Sequence, residues 1–240
     1  MKGRLDKILA SCCLLSRSEA QAALHAGCVT VEGLPARDGA VKVDTERQSV
    51  LFRGKPVQGD GFVYLMLYKP VGVLSATEDK KGAVTALSLL PAPYQRVCPG
   101  VVGRLDKDAE GLLLLTDNGA LNHRMTSPRW HADKRYLVTL DFPVTQADRD
   151  AFAQPMDLGD FITQPAALEA EDGSFSAFVT IHEGKYHQIK RMFAHLGKTV
   201  LTLKRLSIGP LALDERLSPG EYRPLTQEEI RSLLLSAEMM

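Results

Sequence analysis

The chain has 240 residues, of which 45% are hydrophobic and 24% are charged, which fits a globular protein with one large domain or two smaller ones. Lysine plus arginine and aspartate plus glutamate balance at 29 each, so the net charge argues against a general polyanion binder. No apolar run approaches the roughly 18 to 20 residues of a membrane span, and charges interrupt the N-terminal residues, so we predict a cytoplasmic protein without membrane contact.

The charges are unevenly distributed along the chain. Residues 1–58 hold nine basic and six acidic side chains, and residues 182–206 hold six basic side chains and one acidic one. Residues 141–181 show the opposite bias, with eight acidic side chains and one basic one. This pattern favours one face that meets phosphate and another that meets water, whereas charges spread over solvated faces are the simpler alternative.

Two short helices are predicted at the N-terminus. Apolar residues fall close to one face over residues 4–15, which indicates the first helix. The second helix begins at the capping box S-R-S-E at 16–19, and Gly27 stands where a glycine ends many helices. Short strands are predicted after it, at residues 28–33 and 40–44.

The glycine-rich stretch GKPVQGDG at 54–61 is the predicted linker. It divides the chain into an N-terminal domain at 1–58 and a second domain at 59–240. The stretch LSRSEAQAALHAGCVTVEG in the first of these resembles the S4 domain, an RNA-binding module. This resemblance implies contact with structured RNA through phosphate neutralisation by Arg4, Lys7 and Arg17, which would be salt-sensitive. The alternative is a helical hairpin that only packs on the rest of the chain.

The sequence of the second domain predicts an α+β fold dominated by sheet. Four consecutive leucines at 112–115 leave no polar face and predict a strand that is buried on both sides, closed by a turn at 116–119. Further strands are predicted at 62–69, 136–140, 175–181 and 199–206, and helices at 145–153 and 187–196.

The cysteines and histidines lack the spacing of a metal site, so we expect neither a metal nor a disulfide framework. The residues concerned are Cys12, Cys13, Cys28, Cys98, His25, His123, His131, His182, His187 and His195. The phosphate-binding patterns G-x-x-x-x-G-K-[ST] and G-x-G-x-x-G are also absent from the sequence, so no cofactor is expected.

Three segments carry candidate chemistry. In GRLDKDAEGLLLLTDNG, Arg104 and Asp106 lie on a loop before the leucine strand, although a surface ion pair worth about 0 to 1 kcal/mol is the simpler reading. In ADKRYLVTL, Tyr136 follows two basic residues inside a strand. In EGKYHQIKRMFAHLG, one helical face is apolar and the other carries His187, Lys190 and Arg191.

These three segments, together with YKPVG and LKRLSIGPLAL, occur in the order seen in pseudouridine synthases of the RsuA type. The resemblance extends from residue 62 to about residue 230, and the S4-like module belongs to the same architecture. It implies an α+β fold in which a mixed, mainly antiparallel sheet is divided into two lobes with a basic cleft between them. Tyr68 departs from the pattern, since many relatives have asparagine before Lys-Pro.

Roles follow from the resemblance one residue at a time. Asp106 matches the essential aspartate, Tyr136 the tyrosine that stacks on the target base, and Lys190 the basic residue that pairs with the aspartate. Arg104 matches an arginine near the flipped nucleotide, and Leu206 matches an apolar residue in the pocket wall. Additional contacts to RNA are expected from Lys185, His187 and Arg191.

The implied reaction detaches uracil from C1′ at N1 and rejoins it through C5, with no oxidation and no group lost. Asp106 would act at C1′, either as a covalent nucleophile or as the base that generates a glycal. Burial beneath a base would raise the pKa of an aspartate, and a cation within about 4 to 6 Å, for which Lys190 is the candidate, would reverse this. Flipping the uridine out of folded RNA costs a few kcal/mol, which an aromatic face helps to offset.

Two other classes of protein are alternatives, a glycosidase and a non-catalytic RNA-binding protein. A glycosidase also uses carboxylates at an anomeric carbon, and Asp106, Asp108 and Glu110 lie within five residues of one another. A non-catalytic RNA-binding or assembly protein would need only the S4-like module.

The expected substrate is 16S rRNA in an assembling small ribosomal subunit, with a site in 23S rRNA as the alternative. The expected oligomeric state is a monomer.

Overall fold

The structure is a computed structural model that describes residues 1–97, 99–127 and 132–238. The chain forms two compact units. The first consists of Met1–Val63 and a segment that begins at Pro91, and the second consists of Tyr64–Leu90 and the chain from Pro99 onward. The boundary of the units thus falls at Val63–Tyr64 rather than at 58, and the first unit includes a segment that the sequence did not assign to it.

In the part of the first unit that the structure describes, there are three helices and six short strands. They are β1 (Lys2–Arg4), α1 (Leu5–Cys12), α2 (Arg17–His25), β2 (Val29–Val31), β3 (Leu34–Pro35), β4 (Lys42–Asp44), β5 (Val50–Phe52), β6 (Lys55–Pro56) and α3 (Ala92–Val97). Strands β1 and β4 pair with each other, and the other four form a sheet in the order β3-β2-β5-β6. The helices α1 and α2 pack their apolar residues against these strands around a small core.

The second helix of this unit begins as the sequence predicts. The Ser16 hydroxyl accepts a hydrogen bond from the Glu19 amide at 3.2 Å, and the Glu19 carboxylate accepts one from the Ser16 amide at 2.6 Å. Gly27 follows the helix with φ +72°, the left-handed conformation that favours glycine. The first helix is shorter than predicted and ends at Cys12, and Leu14 just beyond it has φ 54°, which no continuing helix adopts.

The predicted linker at 54–61 is wrong over its first half. Lys55–Pro56 is strand β6, which pairs antiparallel with β5, and Val57 is buried in the core of the first unit. The glycine at Gly54 marks a hairpin turn between these strands, with φ +76°, rather than a flexible tether. The same residue types favour both tight turns and linkers, which explains the error.

The described residues of the second unit form four helices and nine strands. They are β7 (Tyr64–Lys69), β8 (Gly100–Val102), β9 (Glu110–Thr116), α4 (Gly119–Thr126), β10 (Lys134–Leu140), α5 (Gln146–Phe152), β11 (Ala167–Glu169), β12 (Ser176–Ile181), α6 (Gln188–His195), β13 (Val200–Ile208), β14 (Leu211–Ala212), β15 (Tyr222–Pro224) and α7 (Gln227–Ser236), with a 3₁₀ turn at Leu87–Leu89.

All nine strands of this unit belong to one mixed sheet with the order β11-β12-β10-β13-β9-β7-β15, with β14 paired to β13 and β8 to β9. The central contact between β13 and β9 is parallel and the remaining pairings are antiparallel. This is the mixed, mainly antiparallel sheet of an α+β fold that the sequence predicts. The parallel contact brings residues that are far apart in the chain, near 111 and 205, to the same place in the sheet.

The leucine strand β9 lies in the middle of the sheet, and Leu112–Leu115 are fully buried as predicted. The predicted turn at 116–119 is instead a helix start. The Asn118 side chain accepts a hydrogen bond from the Leu121 amide at 3.1 Å and so caps α4. Asparagine followed by glycine fits both a hairpin turn and a helix N-cap, and the local sequence does not separate the two.

Two further findings concern expectations about cysteines and the membrane. Cys12, Cys13 and Cys28 are free thiols, whereas Cys98 lies outside the described residues, as do residues 128–131. Within the described part of the chain, no helix combines the length and the apolar character that crossing a membrane requires.

Candidate active site

A cavity of about 590 Å³ opens in the second unit. The residues that line it come mainly from the loop that follows β8, the end of α4, the inner faces of β10 and β13, and the segment that leads from β12 into α6. Five residues that the sequence singled out line this cavity. They are Arg104, Asp106, Tyr136, Lys185 and His187.

Asp106 is the carboxylate at the centre of this group, and its side chain is 24% exposed. Its Oδ2 lies 3.1 Å from Nζ of Lys190, and its Oδ1 lies 3.5 Å from Nε2 of His187. Lys190 projects from the first turn of α6, so the helix start presents a cation directly to the loop that carries the aspartate. The predicted pairing of these two residues is present in the structure.

Lys190 is shared between two carboxylates, because its Nζ also lies 2.5 Å from Oδ1 of Asp108. Burial would lower the pKa of Lys190, but its hydrogen bonds to Asp108 and Asp106 outweigh this effect and raise the pKa. The hydrogen bond from Lys190 in turn lowers the pKa of the Asp108 carboxyl. The ammonium therefore stays charged at neutral pH beside Asp106.

The loop that carries Asp106 is held at one end by Arg205, which is fully buried in β13. Its Nη2 donates a hydrogen bond to the carbonyl oxygen of Gly103 at 2.8 Å, and its Nη1 lies 3.5 Å from that of Arg104. Its Nε donates to the carbonyl oxygen of Leu112 at 2.8 Å. One guanidinium thus ties the start of the loop to the central strand β9.

A second buried cation, Lys69 at the end of β7, holds the other end of the same loop. Its Nζ donates hydrogen bonds to the carbonyl oxygens of Ala109 at 2.6 Å, Pro70 at 2.9 Å and Lys107 at 3.4 Å. Burial lowers the pKa of this ammonium to about 8. Arg205 and Lys69 therefore form a clamp on the two sides of Asp106.

Ser75 fixes the middle of the loop. Its hydroxyl donates to the carbonyl oxygen of Leu105 at 2.7 Å and accepts from the amide of Leu105 at 3.0 Å. Leu105 immediately precedes Asp106, so the backbone beside the carboxylate is bound on both its polar groups. A site held in this way loses little energy to reorganisation during a reaction.

Gly111 lets the clamp form, because the backbones of β9 and β13 approach each other closely here. A Cβ atom at this position would lie 2.3 Å from the carbonyl oxygen of Arg205 and 2.7 Å from its amide nitrogen. The residue also has φ +107°, where other side chains are strained. Only glycine fits at this point without displacing Arg205.

Tyr136 lies on the inner face of β10 and is 6% exposed, which puts an aromatic ring in the cavity wall. Lys134 lies two residues earlier on the same face, and its Nζ donates to the carbonyl oxygen of Ala132 at 2.7 Å. Burial, followed by the nearby Arg205 cation, lowers the pKa of Lys134 to about 8. Alternation along the strand places both side chains on the cavity side.

Leu206 and Arg191 do not contribute to the cavity as expected. Arg205 and Ser207 oppose consecutive residues of β10, so Leu206 between them is the extra residue of a β-bulge, and it is not among the described residues that line the cavity. Apolar wall is supplied instead by Leu203 and Ile181, among others. Arg191 binds the Asp160 carboxylate and donates to the Leu158 carbonyl oxygen at 2.7 Å, away from the cavity.

Of the three basic residues expected to contact RNA in the first unit, one lies on a strand and two on helices. Arg4 ends β1 and pairs with Asp6 at 2.6 Å, while Lys7 and Arg17 are exposed on α1 and α2. Sequence analysis assigned no role to Lys69, Ser75 or Arg205. The available signal was Lys69 at the end of the apolar strand β7, since buried cations need partners.

The carboxylates bear on the glycosidase alternative. Of the described residues that line the cavity, Glu183 is the second carboxylate beside Asp106, whereas Asp108 and Glu110 are not among them. Glu183 accepts hydrogen bonds from the Gln188 side chain at 2.7 Å and from the Gln164 amide at 2.9 Å, so it has a structural task. Within the described ranges, no group of three or more His, Cys, Asp or Glu side chains is arranged to hold a metal ion.

Comparison with known proteins gives consistent results. Residues 63–195 match the family described as RNA pseudouridylate synthase. The chain is 44% identical over 96% of its length to an uncharacterized RNA pseudouridine synthase, YtzG, of Bacillus subtilis, of which it covers 98%. It is 43% identical over 96% of its length to the ribosomal small subunit pseudouridine synthase A of Escherichia coli K12, of which it covers 100%. A crystal structure of a pseudouridylate synthase matches with a TM-score of 0.67 and 40% identity, covering 96% of this chain and 99% of that one.

Proposed function

We propose that this chain, which belongs to the RNA pseudouridylate synthase family, converts one uridine of 16S rRNA into pseudouridine. Asp106 is the catalytic residue. Its activity is that of an isomerase acting on RNA. The observation that carries the assignment of the site is that Asp106 and Tyr136 line one cavity, while Nζ of Lys190 lies 3.1 Å from the Asp106 carboxylate.

The reaction breaks the bond from N1 of uracil to C1′ of ribose and forms a bond from C5 to C1′. The proton on C5 is lost and N1 gains one, so atoms and electrons balance within the nucleotide and exchanged protons. The Asp106 carboxylate acts at the sugar, as a nucleophile at C1′ or as the base that opens the glycal route. On both routes the carboxylate works beside the Lys190 ammonium, whose Nζ lies 3.1 Å from Oδ2 of Asp106.

Tyr136 supplies the aromatic surface against which the flipped uracil stacks, and its hydroxyl assists removal of the C5 proton. Arg104, exposed at the cavity, binds the phosphate backbone of the flipped nucleotide. The clamp of Arg205 and Lys69 keeps the Asp106 loop in one geometry. Uracil can rotate between bond cleavage and bond formation while the carboxylate stays in place.

The substrate follows from the relatives named for the small ribosomal subunit. We place the target in 16S rRNA within the assembling subunit, which also puts the protein in the cytoplasm, where it acts as a monomer. The first unit serves as an S4-like module, in which Arg4, Lys7 and Arg17 neutralise phosphates of structured RNA. A uridine in 23S rRNA is the alternative target.

Pseudouridine mapping in rRNA tests this proposal. A strain without the protein is complemented with the wild type, with Asp106→Asn, or with Asp150→Asn, which alters an exposed aspartate on α5. We expect one 16S pseudouridine to disappear in the deletion strain and to return with the wild type and Asp150→Asn but not with Asp106→Asn. Loss of a 23S pseudouridine would move the target, and an unchanged rRNA would refute the proposal.

A further inference from the structure

An exposed aromatic residue stands next to the candidate active site and has no part in the proposed chemistry. The Tyr186 ring is stacked on the His187 ring with the centroids 3.8 Å apart and the planes at 17°. His187 in turn reaches Asp106, with Nε2 at 3.5 Å from Oδ1. A continuous column of rings thus leads from the surface to the carboxylate.

Tyr186 remains 75% exposed although its ring is stacked on His187. A large aromatic side chain with so much accessible surface at the mouth of a cavity is typical of a binding surface. Lys185 and His187, its neighbours in the chain, both line the cavity. The outer face of the Tyr186 ring is therefore available within reach of an RNA that enters the cavity.

The position of the column is fixed by the loop that precedes α6. His187 has φ 51°, a left-handed conformation that is uncommon for a residue with a side chain. The buried Gln188 accepts a hydrogen bond from the Lys185 amide at 3.0 Å and donates one to Glu183 at 2.7 Å. This loop holds His187 in a strained backbone state, and such strain is commonly found at functional sites.

We propose that the outer face of Tyr186 binds the nucleobase next to the target uridine in the RNA. This rests on the proposed function, since it requires a flipped uridine beside Asp106. When one base leaves the stack, its neighbour loses a stacking partner, and an aromatic ring at the cavity mouth replaces that partner. Lys185, on the adjacent position, supplies a cation for the phosphate that joins the two nucleotides.

A nucleobase fits this surface better than a protein partner does. The surface is a single ring beside the Lys185 side chain, much smaller than the roughly 800 Å² that each partner of a stable protein interface buries. Stacking accepts any base, so Tyr186 contributes to affinity and to the geometry of the flipped state without reading sequence. Loss of the Tyr186 ring should therefore lower kcat/KM for RNA and leave the chemical step at Asp106 intact.

The test uses the purified full-length protein and an unmodified 16S rRNA transcript assembled with small-subunit ribosomal proteins, the state in which the proposed function places the target, with pseudouridine formation measured under single-turnover conditions. Two further transcripts carry an abasic ribose immediately 5′ or 3′ of the uridine that is modified. The variants are Tyr186→Ala, Tyr186→Leu, which keeps bulk without a π face, and Tyr186→Phe. Phe142→Ala is the matched control, because Phe142 is 57% exposed and is not among the described residues that line the cavity.

On the intact transcript we expect Tyr186→Ala and Tyr186→Leu to lower kcat/KM about 5- to 150-fold, while Tyr186→Phe and Phe142→Ala stay near the wild type. On one of the two abasic transcripts, kcat/KM of the wild type should fall to the value that Tyr186→Ala shows on the intact transcript. On that abasic transcript Tyr186→Ala should lower kcat/KM little further. A wild-type rate from Tyr186→Ala on intact RNA would overturn the proposal, as would an equal defect on all three transcripts. A wild type that forms no pseudouridine on intact RNA would overturn the proposed function, and this inference with it.

Discussion

Lys190 and Asp106 form an ion pair beside the cavity, with Nζ 3.1 Å from Oδ2, although they lie 84 positions apart in the sequence. The pair joins the start of α6 to the loop between β8 and β9. The same ammonium also binds Asp108. The two carboxylates differ in exposure, at 24% for Asp106 and 70% for Asp108, so only the former is enclosed enough to act on a bound nucleotide.

Replacement of Lys190 by methionine removes the cation and keeps much of the side-chain volume. We expect the rate of pseudouridine formation to fall about a hundredfold, because Asp106 loses the cation that pairs with it at 3.1 Å and holds its carboxylate in position. Single-turnover rates at saturating RNA measure this. Asp108→Asn removes the other partner of the ammonium and should cost less than about tenfold. Equal losses in the two variants would mean that Lys190 does not act through Asp106.

The Arg205 side of the clamp can be tested by Arg205→Lys, which keeps the charge but cannot reach carbonyl oxygens in the fork geometry of a guanidinium. We expect the rate constant to fall tenfold or more, since the Asp106 loop loses its tie to β9, whereas RNA affinity should change by less than about threefold. Single-turnover kinetics and filter binding separate these quantities. Arg191→Lys, in the pair with Asp160 away from the cavity, is the matched control and should retain the wild-type rate. A parallel loss of RNA affinity in Arg205→Lys would assign Arg205 to binding instead.

Gly111→Ala tests the close approach of β9 and β13. The added Cβ would lie 2.3 Å from the Arg205 carbonyl oxygen at a positive φ, so we expect a loss of more than about 3 kcal/mol in the free energy of unfolding. Urea denaturation followed by circular dichroism measures this. Gly119→Ala is the control, because a Cβ there meets nothing within 4 Å and the residue begins α4, so its stability should stay equal or rise slightly. Similar effects of the two substitutions would exclude the close approach as the cause.

The sequence predicted the parts of the site that depend on local patterns. Four consecutive leucines predicted the buried strand β9, ADKRYLVTL predicted the strand that carries Tyr136, and the amphipathic pattern predicted α6. The family resemblance then brought Asp106 and Lys190 together, and the structure contains that pair.

The clamp could not be predicted because it depends on which strands are neighbours and in which register. Arg205 reaches Gly103 only because β13 pairs in parallel with β9, and nothing near either residue in the sequence encodes that pairing. The β-bulge at Leu206 likewise depends on how β10 and β13 pair, and the local sequence does not encode it. Arg191 lies on the polar face of its predicted helix. A polar face does not reveal whether a cation there meets solvent, RNA or a neighbouring carboxylate such as that of Asp160.

The buried ammonium of Lys69 predicts a pH-dependent stability. Burial lowers its pKa from 10.5 to about 8, so between these values the unfolded chain holds a proton that the folded chain has released. Unfolding then takes up a proton, and the free energy of unfolding rises with pH across this window, by on the order of 1 to 3 kcal/mol. Lys69→Met should remove this rise, and Lys134→Met should remove a similar one, because the pKa of Lys134 is also lowered to about 8 by burial. Urea midpoints at pH 7.5 and 10 measure the slope, with Lys7→Met, which removes an exposed lysine, as the control for net charge. If Lys69→Met kept the same increase between the two pH values as the wild type, the ammonium would not be desolvated in the folded protein.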